Sequence, residues 1–210
     1  TEIAYLTVGL PLDTKLWMDQ YPVIMRNVID ACKKHEAKLV YFDNTYMYPQ
    51  NNVPLTEDTG FAPVGPKGKV RADITTMLLE EMGSNRIEAV ICRAPEFYGP
   101  GKTRSYTNTL IFENIRKNKQ LKVLLNDDTL RTLIWSPDAS KATALIGNTP
   151  GAYGQTWHLP CDDNRLTYKE LIALASEIYG RPLEYTIIEK SQLIIDAMTN
   201  KNIAEMEELF

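Results

Sequence analysis

Four short stretches hold the residues whose types and spacing could do chemistry. In "GPKGKVRADITTMLLEE" (65–81) Lys69 falls in the opening turns of an expected helix. Gly65, one turn earlier on the same helical face, has no side chain to give or take a proton. The apolar run "KLVYFDN" (38–44) ends on Asn44 and continues into Thr45, Tyr46 and Tyr48. The first two can hydrogen-bond a carbonyl oxygen, and either tyrosine can supply a phenol, with Tyr48 also suited to plain packing. The bend "RAPEFYGPG" (93–101) carries Arg93 and Tyr98, which anchor a Pro-Gly turn before they serve any ligand, and Arg104 and Tyr106 lie just beyond it. Arg131 follows "LNDDTL"; its guanidinium fork suits a phosphate or a carboxylate, and equally a salt bridge. His158, between Trp157 and Leu159, reads as a satisfied core histidine, and Asp138 as a helix N-cap.

These residues need a scaffold, and the hydrophobic pattern supplies one. "IAYLTVGL" (3–10) is an apolar, branched run of the kind buried in a parallel sheet. Residues 15–35 follow with Leu16, Val23, Ile24, Val28, Ile29 and Cys32 at helical spacing, leading to the second buried strand at 38–43. A stretch with four prolines, "TYMYPQNNVPLTEDTGFAPVGP", crosses the surface to a helix over 67–82 whose apolar face uses Ile74, Met77 and Leu78. "IEAVICRAP" is a third strand. Parallel strands at 3–9, 38–43 and 87–93 are therefore expected: an α/β fold and half of a doubly wound parallel sheet.

Beyond Pro100 the elements shorten. A helix over 106–118, strands near 121–125 and in "LRTLIWS" and "GQTWHLP", and a helical tail over 191–210 are expected. In "LTYKELIALASEIYG" Thr167 and Glu170 form a capping box, and Gly180 closes the helix. Residues 1–99 thus make one part and 100–210 a smaller α/β part, with 131–147 returning to the first sheet.

Composition excludes several classes. A chain of 210 residues with 44% hydrophobic content can bury a real core. A net charge of −4 without a basic stripe argues against nucleic acid and leaves a small molecule as the expected partner. Cys32, Cys92 and Cys161 lie far apart, without metal-ligand spacing to His35 or His158, so no metal is expected and the thiols read as reduced, in a cytoplasm. No apolar run reaches the roughly 18 residues of a membrane span.

Several segments, in order, resemble one family. "NVIDACKKHEAKLVYFDNTYMYP" resembles the helix and strand that lead to the catalytic serine or threonine of extended short-chain dehydrogenase/reductases, the NAD-dependent epimerase/dehydratase family. "RAPEFYGPG" is similar to its Arg-x-x-x-x-Tyr-Gly-Pro turn. "LRTLIWSPDASKATALIG" looks like its substrate-side arginine segment, and "GQTWHLPCDDNRLTYKELIALASEIYGRPL" like its late strand and capped helix. The resemblance implies a Rossmann-like sheet, NAD or NADP as cofactor, and a sugar or other carbonyl compound as substrate. It implies Lys69, Asn44, Thr45 and Tyr46 as catalytic positions, and Thr7, Val8, Gly9, Lys69, Arg93 and Pro95 beside the cofactor. Arg104, Tyr106 and Arg131 would face the substrate.

Two departures matter. Gly65 stands where the family has its tyrosine, four residues before Lys69, and the surviving lysine is Lys67 if the register slips around Gly68. The family's Gly-x-x-Gly-x-x-Gly turn is not in the chain, so a fragment of a longer protein is expected, with the edge of its first strand covered by a second copy, a homodimer. Two functions stay open: an NAD(P)-dependent epimerase, dehydratase or reductase, and a non-catalytic NAD(P)-binding relative that has lost the phenol.

Overall fold

A computed structural model describes residues 2–101, 103, 105–207 and 209. In chain order the elements are β1 (Ile3–Leu6), α1 (Thr14–Lys34), β2 (Lys38–Asp43), α2 (Gly65–Gly83), β3 (Ala89–Arg93) and β4 (Glu96–Tyr98). A π-helical turn (Thr107–Phe112) runs into α3 (Glu113–Arg116). There follow β5 (Leu121–Leu124), β6 (Leu133–Trp135), α4 (Ser136–Gly147), β7 (Thr156–His158), α5 (Tyr168–Tyr179), β8 (Tyr185–Ile188), α6 (Lys190–Ala197) and α7 (Lys201–Glu207).

The main sheet is parallel throughout, in the order β1-β2-β3-β7. Its two faces follow the period of two in a strand. Leu39, Tyr41, Ala89 and Ile91 point to one side and pack under α1 and α2, whereas Val40, Val90 and Cys92 point to the other and pack with Ala139 of α4. Helices on both faces of a parallel sheet are the doubly wound arrangement. Helix α1 starts where Asp13 accepts a hydrogen bond from the Leu16 amide at 2.9 Å, and it buries Trp17, Tyr21, Met25, Ile29 and Cys32 along one stripe. β1 ends the sheet, and its outer edge pairs with no described strand. Among the described residues no helix is long and apolar enough to cross a membrane.

The smaller part has two parallel pairs: β5 with β8, over a separate core of Ile111, Ile115, Leu121, Val123, Tyr168, Ile172 and Ala175, and β4 with β6, whose Phe97 and Ile134 pack with Val40, Val90 and Cys92 of the main sheet. The capping box of α5 is formed in both directions, and Gly180 ends it at φ 66°.

Two local expectations differ from the structure. The first strand stops at Leu6, and residues 7–10 leave the sheet. In the segment 131–147, β6 pairs with β4, and Ile134 of β6 and Ala139 of α4 pack with Val40, Val90 and Cys92 of the main sheet. Asp138 is no N-cap: the helix starts at Ser136 with Pro137 next, so Asp138 lies in the first turn and pairs with Lys141 at 3.5 Å.

The α1–α2 layer is clasped at its far end by Glu81, which accepts from Arg86 at 2.7 Å, Lys33 at 3.1 Å and Arg26 at 3.2 Å. These donors, Arg86 first and Lys33 next, hold its carboxyl down to about 2 from an ordinary 4.5. A depressed carboxylate contributes stability that is fully present above the unfolded value and is lost as pH falls towards the folded one. Glu81→Gln should therefore be less stable than wild type in urea unfolding at about pH 7, with the difference shrinking below the ordinary value of 4.5 and closing only as pH falls through about 2. A difference independent of pH would assign Glu81 a packing role only.

Candidate functional site

Two carboxylates, one buried and one half-buried, organise the region at the carboxyl ends of the strands. Asp43, the last residue of β2 and 2% exposed, accepts from Arg71 at 2.7 Å, Thr75 at 3.0 Å, Tyr41 at 3.1 Å and the Asn44 amide at 2.8 Å. Arg93, ending β3, reaches it at 3.3 Å and 3.4 Å. A continuous chain of contacts leads on: Arg93 donates to the Tyr48 hydroxyl, which lies 2.7 Å from His158 Nε2. Burial lowers the His158 pKa, which favours the neutral imidazole as acceptor for Tyr48. Tyr48 and His158 are thus satisfied packing residues, and Arg93 ties strands together at the bend.

The second carboxylate, Glu96 in β4, accepts from Thr107 through its amide at 2.8 Å and its hydroxyl at 3.0 Å, and from Arg131 at 2.9 Å. Arg131 lies over the Tyr168 ring at 5.0 Å, and its Nε has no hydrogen-bond partner among the described residues. Arg131 is therefore held by a salt bridge and one face of an aromatic ring, with its Nε–H buried and unbonded. Arg104 lies outside the described residues.

Tyr46 and Tyr106 stand between the two carboxylates. Tyr46 stacks on Trp17, with rings 16° apart and centroids at 6.3 Å, and the Asn44 side chain accepts its amide at 3.1 Å. The residue is 38% exposed, and burial of the phenol by its neighbours raises its pKa, with the Glu96 charge adding and Arg71 opposing. Tyr106 is raised further, by burial first and then by Tyr46 and Glu96. Both phenols are protonated at neutral pH and can donate.

On α2 the structure separates the lysines. Lys69 points outward and pairs with Asp73, one turn on, at 2.9 Å. Lys67 is fully buried and donates to Thr14 Oγ1 and, at 2.7 Å, to Glu205. The buried cations of the helix are thus Lys67 and Arg71, four residues apart on one face. Gly65 adopts φ 75°, a conformation that favours glycine on backbone grounds alone. Gly68 lies where a Cβ would sit 2.6 Å from the Tyr46 carbonyl oxygen, so α2 packs directly on the end of β2.

Of the remaining positions, Asn44 and Thr45 are half-buried next to Asp43, and Thr7, Val8 and Gly9 form the exposed loop after β1. Pro95 is half-buried between β3 and β4. The structure thus brings Asn44, Thr45, Tyr46 and Tyr106 together, sets Arg131 beside them through Glu96, and leaves Lys69 on the outer face. The sequence reading missed Asp43, Arg71, Thr75 and Glu96. The only signal was an aspartate closing an otherwise apolar strand and an arginine one turn beyond Lys67.

The chain belongs to the NAD dependent epimerase/dehydratase family, which residues 14–157 match. It is 23% identical to the UDP-D-apiose/UDP-D-xylose synthase of Oryza sativa subsp. japonica, over 86% of this chain and 55% of that protein. It is similar in fold to UDP-glucuronic acid 4-epimerase from Bacillus cereus in complex with UDP-glucuronic acid and NAD, with TM-score 0.75 and 16% identity, over 90% of this chain and 62% of that one. RMD from Pseudomonas aeruginosa complexed with NADPH gives TM-score 0.71 and 17% identity, over 89% and 69%. The chain thus spans just over half the length of the curated relative.

Asp43→Asn should cost about 3 kcal/mol or more, because two buried guanidiniums lose their counter-charge. Lys69→Ala, which breaks only an exposed i,i+4 pair, should stay within about 0.5 kcal/mol. Chemical unfolding of the two variants checks both, and equal costs would mean that the buried cluster is not the anchor of the site.

Proposed function

We propose that the chain is the strand-end and substrate half of an NAD(P)-dependent epimerase, dehydratase or reductase acting on a nucleotide-linked sugar. The observation that carries the reading is the meeting of Asn44, Tyr46 and Tyr106 at the carboxyl ends of a parallel sheet, where ligands of open α/β sheets bind. Family membership and the UDP-sugar names of the relatives support the substrate class.

The residues present fit one side of a dinucleotide. The loop Thr7–Gly9 is exposed beside the start of α1, and nothing stands within 4 Å of where a Cβ of Gly9 would be, so a flat group can approach its backbone. When bound, NAD(P) supplies hydride acceptance and donation. The chain's own residues do the rest. Asn44 orients the carbonyl or hydroxyl at the reacting carbon, and Tyr46 holds the proton at its phenol oxygen. Arg71, near enough to oppose the rise in the Tyr46 pKa, favours the phenolate when that proton leaves. Lys67 replaces Lys69 as the α2 cation turned to the site. Arg131, whose side chain is 31% exposed, is suited to an anionic group of the substrate.

A second reading is a cofactor-binding relative without turnover. It is favoured by the pairing of both buried α2 cations with carboxylates, Lys67 with Glu205 and Arg71 with Asp43.

Titration of NAD and NADP, followed by hydride turnover on a panel of UDP-sugars, tests the first reading. Tyr46→Phe should lower turnover by about 10²- to 10⁴-fold, the range for loss of a general acid, with cofactor affinity unchanged. Full activity in Tyr46→Phe would remove Tyr46 from the chemistry. Cofactor binding with no turnover of any sugar would give the second reading its place.

A further inference from the structure

Residues near the end of the chain reach back to the start of α2. Glu205 of α7 comes from 138 residues beyond Lys67 and covers it: its Oε2 accepts from Lys67 at 2.7 Å and from the Thr14 amide and hydroxyl at 2.7 Å each. With this helix in place the Lys67 side chain is 0% exposed. No ligand can touch an ammonium with no accessible surface. The other ties of the segment are polar as well. Lys201 donates to Asp13 at 2.7 Å, and the Leu209 carbonyl accepts from Gln50 at 3.2 Å. Among the described residues, none of 201–206 belongs to a hydrophobic core, whereas Leu193 of the preceding α6 is buried.

We propose that α7 is an autoinhibitory strap: Glu205 seats it over Lys67, and the site opens when the strap swings away about the turn at 198–200. The attachment has the character such a device needs. Its ties to α1 and α2 are charge-assisted hydrogen bonds, chiefly to one carboxylate, and its half-buried apolar residues Ile203, Ala204 and Met206 belong to no core cluster, so the attachment is short-ranged, salt-sensitive and breakable without disturbing a core. Burial alone would raise the Glu205 carboxyl, but the bonds from Lys67 and Thr14 outweigh it and keep the carboxylate charged, as a latch on an ammonium requires. The strap rests on the reading that the start of α2 faces the site.

Acylation of lysines by acetic anhydride, read residue by residue by mass spectrometry on the 210-residue chain, tests the strap without any cofactor. Exposed Lys69 is the internal standard. Lys67 should be nearly inert in wild type, and labelled on the order of a hundredfold faster in a chain ending at Thr199. Lys201→Ala removes only an outer tie and leaves Lys67 and Glu205 untouched. It should speed Lys67 labelling about two- to fivefold, the range for an exposed ion pair. It carries the test where the truncated chain fails to fold. Labelling of Lys67 at the rate of Lys69 in wild type, or no acceleration in Lys201→Ala, overturns the strap. Tighter NAD(P) binding by the truncated chain would tie the strap to the proposed site. Faster labelling with unchanged or weaker cofactor binding would overturn the inhibitory role and leave a structural clasp.

Discussion

Everything near the strand ends depends on one buried carboxylate. Asp43 sits between Arg71 and Arg93, one negative charge between two positive ones, all withdrawn from water. Ions in such a place are costly unless well bonded and their excess charge is screened. Aromatic faces do the screening. Arg71 lies 5.0 Å from the Tyr21 ring and 5.7 Å from Tyr41, and Arg93 lies 4.8 Å from Tyr48 and 5.3 Å from Phe61. The cluster joins α1, β2, α2 and β3, so the ends of two neighbouring strands and the start of the helix behind them have one allowed arrangement. Residues that follow β2, Asn44 to Tyr46, inherit their positions from it.

A second carboxylate repeats the device in the smaller part. Glu96 gathers Thr107, Tyr168 and Arg131 much as Asp43 gathers its own donors. The two clusters are joined at Tyr46 and Tyr106, whose raised phenols feel Glu96 and, for Tyr46, Arg71. A cleft between two rigid electrostatic anchors is better pre-organised than one lined by loops, because its walls cannot relax without exposing a buried charge.

How much of this the sequence made legible follows from the physics of each signal. Apolar periodicity is local, so β2, β3, α1 and α2 fall where the pattern places them, and the capping box of α5 forms as read from Thr167 and Glu170. Pairing between distant strands carries no local signal, which is why β6 joins β4 and the two short pairs β4–β6 and β5–β8 stand apart from the main sheet. Buried charge is the hardest case. Arg71 and Glu96 look like surface residues in a chain that is 24% charged, and only the fold shows that each is desolvated. Glu205 was beyond reach for the same reason and for a further one, its separation of 138 residues from Lys67.

The choice between Lys67 and Lys69 shows how two glycines decide a site. A helix entered from an extended loop needs a residue that tolerates positive φ and then one that fits against the strand it packs on. Gly65 supplies the first at φ 75°, and Gly68 the second, its missing Cβ leaving room for the Tyr46 carbonyl. With those two fixed, helical geometry leaves no freedom: residue 67 and residue 71 share the inward face, 69 and 73 the outward one. The inward pair must then carry whatever chemistry the helix contributes. An ammonium and a guanidinium occupy it, so what the inward face presents is positive charge, each cation paired with a carboxylate, Lys67 with Glu205 and Arg71 with Asp43.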